Sequence, residues 1–97
     1  MIRPHLPERF AYGLKLYLEE GVLPGGFLTA VLENDLKGSL AAADDQSVRE
    51  LPGLVSYLYN EIPSTAWGSP ENVEQWIDFV DQRRRADMAN GDDRPDA

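Results

Sequence analysis

Residues 23–36 read LPGGFLTAVLENDL, and this stretch decides which fold the rest of the chain can adopt. The Pro-Gly-Gly near its start is typical of a tight turn, because proline and glycine both interrupt regular structure. After the turn, Phe27, Leu28 and Val31 fall within one arc of a helix that advances about 100° per residue. The stretch therefore predicts a turn that leads into an amphipathic helix, which we expect at about residues 26–43.

Asp35 is an acidic residue that falls inside the apolar arc of this predicted helix. A carboxylate in that position needs hydrogen-bond partners, because buried polar groups in folded proteins are normally paired. The loop that contains Trp67 and Ser69 offers backbone donors and an indole N–H. We therefore predict that Asp35, Trp67 and Ser69 form a structural clamp. The alternative is a small-ligand-binding site around Asp35.

Helical spacing of apolar residues recurs in three other stretches, whereas no segment alternates with the period of a strand. Gly21 is a plausible end for the first helix, and Ser69 with Pro70 is a strong start for the last. Pro52-Gly53 predicts a kink in the third helix or a delayed start. The sequence thus predicts an all-α fold, a small single-domain bundle of four helices with short loops. Their approximate ranges are 8–20, 26–43, 48–62 and 70–87.

The chain has 97 residues, which is enough for one domain with one modest core. We place that domain at residues 1–88, with residues 1–7 as an extended lead-in because they contain two prolines. Residues 89–97 read ANGDDRPDA, which is polar and contains Gly and Pro, and we predict a disordered tail there.

Residue types that carry out catalysis or bind metals are scarce in this sequence. There is no cysteine, and the one histidine, His5, has no second ligand at metal-binding spacing. Pro24-Gly25-Gly26 lacks the Lys that follows the glycines of a nucleotide-binding loop. We therefore predict no catalytic residue, no metal, no cofactor and no enzymatic activity.

The net charge is −8, from 17 acidic and nine basic residues. This charge disfavours direct binding to nucleic acid or to an anionic membrane surface and permits a basic protein partner. No apolar run approaches the 18 residues or so of a membrane span, and the N-terminus does not read as a signal peptide. We expect a cytoplasmic protein.

Four carboxylates follow helical spacing along one side of the last predicted helix: Glu71, Glu74, Asp78 and Asp81. Their successive rises along the axis are about 5 Å, which is loosely comparable to the spacing of backbone phosphates. They are candidates for an acidic partner-binding face that mimics nucleic acid. An ordinary solvated helix face, with Asp81 and Arg85 as a local ion pair, is the alternative.

Several segments together resemble a family of small uncharacterised phage and prophage proteins. The similar segments are PGGFLTAVLENDL at residues 24–36, Ala43-Asp44, LYNEIPS at 58–64, WGSPE at 67–71 and Trp76. The likeness covers roughly residues 11–77, and Pro52-Gly53 departs from the pattern. The resemblance implies a virus-borne protein that acts inside a bacterial cell, and it implies no activity and no functional residues.

These observations lead to one main expectation about function and one rival. The main expectation is a non-enzymatic phage protein that binds a host or phage protein and modulates or inhibits it. The target could be a defence or nucleic-acid-processing complex, as for anti-CRISPR inhibitors. The rival is a structural or accessory module that associates with itself, because several tyrosines fall outside the predicted apolar arcs.

Overall fold

The computed structural model describes residues 2–92, and the side chains of residues 2–87. These residues form helices and connecting turns without a strand, which confirms the all-α class. A short 3₁₀ turn at Ser64–Ala66 precedes the last helix. The five α-helices are α1 (Glu8–Glu20), α2 (Gly26–Leu32), α3 (Leu36–Ala42), α4 (Asp45–Glu61) and α5 (Pro70–Asp92).

The predicted helix at residues 26–43 is in fact two helices, α2 and α3, so the predicted count of four helices was wrong. Asn34 adopts a φ of 60°, a left-handed conformation that asparagine tolerates better than most residues. Its N–H bonds the Val31 carbonyl at 3.0 Å, and the Asp35 N–H bonds the Ala30 carbonyl at 2.8 Å. These bonds end α2. The chain then begins α3, whose leucines are exposed whereas those of α2 are buried.

Helix α4 begins earlier than predicted and continues across Pro52. Its N-cap is Asp44, whose Oδ1 accepts a hydrogen bond from the Ser47 N–H at 2.7 Å. The sequence predicts a start near residue 48, or later at Pro52-Gly53. The predicted delayed start at Pro52 was therefore wrong, because the Asp44 cap already satisfies the helix end two turns upstream.

Helix α5 starts where the sequence predicts. The Ser69 Oγ accepts a hydrogen bond from the Asn72 N–H at 3.0 Å, which confirms Ser69 as the N-cap. The helix continues to Asp92, beyond the predicted end at residue 87. The backbone is thus helical at residues 89–92, where we had predicted disorder, and the rest of that predicted tail, residues 93–97, lies outside the described residues.

The N-terminal residues lie against α4 before α1 begins. The His5 N–H donates to the Gly53 carbonyl at 2.9 Å, and the Ser56 hydroxyl donates to the Ile2 carbonyl at 3.1 Å. A Cβ at Gly53 would lie 3.2 Å from the His5 Cβ, so the glycine allows this close approach. The N-terminal segment therefore packs against α4 at Pro52-Gly53.

Arg9 joins the start of α1 to the start of α4. Its guanidinium donates to the Glu50 Oε1 at 2.7 and 3.0 Å and to the Ser47 Oγ at 2.7 Å, and it lies 3.5 Å from the Asp44 Oδ1. The pKa of Asp44 is lowered, chiefly by the hydrogen bonds from Ser47 and then by Arg9. These contacts hold the N-terminal end of α4 against α1.

The core is built by four of the five α-helices. Each fully buried aliphatic or aromatic side chain in it contributes about 1.5–3 kcal/mol relative to exposure. Helix α3 supplies no member of this cluster, so it is the outlier of the fold. The cluster of buried residues comprises Leu14, Tyr17, Phe27, Leu28, Val31, Leu32, Leu54, Leu58 and Val73.

Candidate protein-binding face

Helix α4 has a wide apolar arc, and the rest of the fold covers only one half of it. Leu54 and Leu58 are fully buried. About 100° further around the helix, Val48, Val55 and Tyr59 are 46%, 38% and 80% exposed. With Pro52, these residues follow the i, i+4, i+7, i+11 spacing of a single row along a helix. Half of the arc is therefore an apolar row that faces solvent.

Helix α3 exposes its leucines and buries a serine. Ser39 is 2% exposed, and its hydroxyl bonds the Leu36 carbonyl at 2.8 Å, which satisfies it within the helix. Leu36 and Leu40, one turn apart, are 65% and 47% exposed. An amphipathic helix of a monomeric domain normally shows the opposite arrangement. The leucines of α3 thus add to the exposed apolar surface of α4.

Two depressions connect these side chains into one surface. The smaller, of about 60 Å³, lies between α3 and α4 and is lined by Leu36, Leu51 and Trp67, among others. The larger, of about 660 Å³, runs along α4 beside the N-terminal segment. Both are lined by Val55 and Trp67, so they are continuous. We name this surface the α3–α4 apolar face. It comprises six side chains that line the depressions, Ile2, Leu36, Pro52, Val55, Tyr59 and Trp67. It also includes the exposed Leu40 and Val48, which lie one helical turn from Leu36 and Pro52.

Among the described residues that line the two depressions, Asp35 is the one that carries a charge. It is exposed and forms the N-cap of α3, where its Oδ1 accepts a hydrogen bond from the Gly38 N–H at 2.9 Å. A Cβ at Gly38 would overlap this carboxylate, so the glycine makes room for the cap. The α3–α4 apolar face therefore carries a single negative charge at its α3 end.

The predicted clamp of Asp35, Trp67 and Ser69 was wrong. The side chain of Asp35 bonds Gly38 within its own helix, and the Ser69 hydroxyl bonds Asn72. The break at residue 34 is the physical reason, because it moves Asp35 out of the apolar arc and to an exposed helix start. Asp35 and Trp67 both line the smaller depression.

The loop at residues 62–69 is held by other groups. The Tyr17 hydroxyl donates to the Ala66 carbonyl at 2.7 Å, and the Gly68 N–H donates to the Leu32 carbonyl at 2.7 Å. The Asn72 side chain donates to the Trp67 carbonyl at 3.0 Å. These bonds position the Trp67 side chain beside Val55. A tyrosine within the apolar stripe of α1 was the available signal, since a buried phenol needs a partner.

Tyr17 is fully buried and stays protonated at neutral pH. Burial, and then the negative charge of Glu33, raise the pKa of its phenol to about 12. Its hydroxyl hydrogen is therefore available to the Ala66 carbonyl throughout the physiological range. Tyr17 acts as a structural donor that ties α1 to the loop.

The acidic side of α5 lies on the solvent surface. Glu71, Glu74 and Asp78 are exposed, and Asp81 pairs with Arg85 at 3.2 Å. The local ion pair is thus present, as in the solvated-face alternative. A partner-binding role for Glu71, Glu74, Asp78 and Asp81 stays a prediction.

Within the described residues, no group of three His, Cys, Asp or Glu side chains is arranged to hold a metal ion. None of the helices in residues 2–92 contains a stretch long and apolar enough to cross a membrane. The fold and the surface thus define an all-helical protein that presents an apolar face to solvent.

Models of known protein families do not match this chain, and neither the curated proteins nor the solved structures show a significant similarity to it. The resemblance to small phage and prophage proteins therefore stays a prediction, based on the segments quoted above.

Proposed function

We propose that this chain is a non-enzymatic phage or prophage protein that binds a protein partner in the bacterial cytoplasm and modulates or inhibits it. The α3–α4 apolar face is its contact surface in this proposal. A host defence or nucleic-acid-processing complex, of the kind that anti-CRISPR inhibitors target, is the class of partner that the phage resemblance suggests.

The observation that carries the proposal is the inside-out arrangement of α3 next to the exposed row of α4. Two leucines and Tyr59 lie in water although the same helices have a covered side. Contiguous exposed apolar surface of this kind marks interaction sites in soluble proteins. Tyr59 and Trp67 are of the residue types that most often dominate binding energy at interfaces. A partner that covers the face would remove these side chains from water.

Affinity capture from a bacterial lysate, with matched surface variants, tests the proposal. Val55→Asp places a charge in the centre of the face, and Val22→Asp places the same charge on an exposed valine in the turn between α1 and α2. We expect wild type and Val22→Asp to retain one specific partner and Val55→Asp to lose it. The purified partner should then bind Val55→Asp at least about tenfold more weakly, which is about 1.4 kcal/mol.

Equal retention of the partner by Val55→Asp would contradict the role of the face. Circular dichroism of both variants should show unchanged helix content, because both valines are partly exposed. A chain that captures no specific partner at any salt concentration would contradict the proposed function as a whole.

The acidic side of α5 is a second candidate contact surface. Glu71, Glu74 and Asp78 form no ion pair within residues 2–87, so their charge is available to a basic partner. In the same capture experiment, Glu74→Gln with Asp78→Asn would then abolish retention, and sodium chloride would weaken it. Loss of capture in this double variant and retention by Val55→Asp would assign the contact to α5.

A further inference from the structure

We infer that the α3–α4 apolar face binds an amphipathic α-helix of the partner, and that this helix carries a basic side chain that meets Asp35. The inference rests on the proposed function and adds the class of segment that the face recognises.

The dimensions of the face fit a helix. The row from Val48 to Tyr59 extends over about 16 Å, or three helical turns, at 1.5 Å per residue. The smaller depression lies between α3 and α4 and continues into the larger one along α4. An apolar depression that runs along an exposed helix is a surface into which an amphipathic helix can dock, with anchors at positions i, i+3 or i+4, and i+7.

Other modes of peptide recognition fit this surface less well. Addition of a strand needs an exposed sheet edge, and residues 2–92 contain no strand. Proline-rich segments bind grooves lined chiefly by aromatic side chains. Here Tyr59 and Trp67 are outnumbered by the aliphatic side chains, which are Ile2, Leu36, Leu40, Val48 and Val55. Aliphatic side chains pack best against the leucine-type ridges of another helix.

The negative charge on the face indicates which polar side chain the docked helix carries. Within residues 2–87, Asp35 is the single charged residue that lines the depressions, and its second carboxylate oxygen accepts no hydrogen bond from these residues. A lysine or arginine in the docked helix would meet it. The net charge of −8 adds a long-range attraction for a basic segment.

The same charges disfavour a second copy of this chain as the occupant. No basic side chain of residues 2–87 lines the depressions, so a symmetric contact would bring two such faces together without a basic partner from these residues for either Asp35. Two copies of net charge −8 would also repel one another. Charge complementarity thus selects a basic helix over self-association.

A displayed library of helical peptides of about 16 residues, or four to five turns, tests the inference on the full chain. We expect enriched peptides to share apolar residues at i, i+3 or i+4, and i+7, with a Lys or Arg beside them. A synthetic copy of one such peptide should bind Val55→Asp at least about tenfold more weakly than wild type. Asp35→Asn should weaken binding about threefold, and the matched change at the exposed Asp87 on α5, Asp87→Asn, should leave it unchanged.

Four results would overturn the inference. They are enrichment of proline-rich or non-helical peptides, no enrichment, full binding by Val55→Asp, and an equal effect of Asp35→Asn and Asp87→Asn. Sedimentation equilibrium that shows a wild-type dimer dissociated by Val55→Asp would also overturn it, because a second copy would then occupy the face.

The proposed function and this inference can fail separately. A captured partner that is lost in Val55→Asp, together with a library that enriches no helix, would leave the proposed function standing and remove the inference. If a basic helical peptide binds the face and a lysate supplies no partner, the helix preference of the face stands and the proposed function is removed.

Discussion

Helices α2 and α3 have the same length, follow one another in the chain and are buried in opposite ways. Both have seven residues, yet α2 buries five of them and α3 buries one, which is Ser39. Leu32 in α2 is fully buried, whereas Leu36, four residues later, is 65% exposed. The comparison teaches that apolar content predicts a helix without predicting whether the fold covers it.

The three-residue break between them explains the difference. In an uninterrupted helix, Leu36 would follow Leu32 on the same side at i, i+4 spacing. The left-handed conformation of Asn34 interrupts that phase, and the Asp35 cap restarts the helix with its leucines outward. The leucines of α2 build the core, and those of α3 belong to the proposed binding face.

The largest expected effect comes from replacing the two leucines on either side of the break. Leu32→Ala should lower the free energy of unfolding by about 2–5 kcal/mol, because it removes buried contacts and leaves a cavity. Leu36→Ala should change it by less than about 0.5 kcal/mol, since the side chain is largely in water. Urea denaturation measures both, and equal losses would mean that α3 is part of the core.

Tyr17→Phe tests the loop that covers the end of α2. The loop bonds the Leu32 carbonyl through Gly68 and the Tyr17 hydroxyl through Ala66. We expect a loss of about 1–3 kcal/mol in the free energy of unfolding, because the buried Ala66 carbonyl keeps no donor. Tyr12→Phe is the matched control on the same helix, since Tyr12 is 71% exposed, and it should leave stability unchanged.

The pH dependence of stability tests the burial of the Tyr17 phenol. Its pKa is raised to about 12 in the fold, against about 10 in the unfolded chain. Between these values the unfolded state binds fewer protons, so the free energy of unfolding falls as the pH rises. The contribution is complete below about pH 10 and is lost as the pH rises through about 12. The difference in the free energy of unfolding between wild type and Tyr17→Phe should therefore become smaller between about pH 10 and 12. A difference that stays constant over this range would contradict the prediction.

Asp35→Ala should have the smallest effect, and a local one. Loss of the cap should weaken α3 by about 0.5–2 kcal/mol, seen as faster amide exchange at Gly38. The Gly68 amide, which bonds the Leu32 carbonyl, should keep its protection. Asp44→Ala removes the cap of α4, which supplies core residues, and should lower the global free energy of unfolding instead. Faster exchange of the Gly68 amide in Asp35→Ala would instead support the predicted clamp between Asp35 and the loop that contains Trp67 and Ser69.

Local sequence signals predicted the elements whose ends are set by neighbouring residues. Ser69 and Pro70 predicted the start of α5, and Gly21 predicted the end of α1, where it adopts a φ of 70°. Both ends depend on one capping residue, which is visible without knowledge of the fold. The break at Asn34 was missed because asparagine is compatible with a helix interior, so periodicity alone continued the helix through it.

The exposed face could not be predicted, because periodicity reports which residues are apolar and says nothing about what covers them. The arc of α4 was visible in the sequence, from Val48 to Ile62, but its division into a buried and an exposed half depends on where α1, α2 and the loop pack. The clamp prediction failed for the same reason, since it assumed that an apolar arc is a buried one.

The sequence by itself determined the all-helical class, the caps at Ser69 and Gly21 and the acidic charge, because each follows from residue type and local spacing. Only the tertiary structure decided that α2 enters the core while α3 stays outside it, and that Asp35 is a cap beside an apolar surface. The reason is physical: burial depends on contacts between segments far apart in the chain, and no local pattern encodes which of two apolar sides those segments will cover.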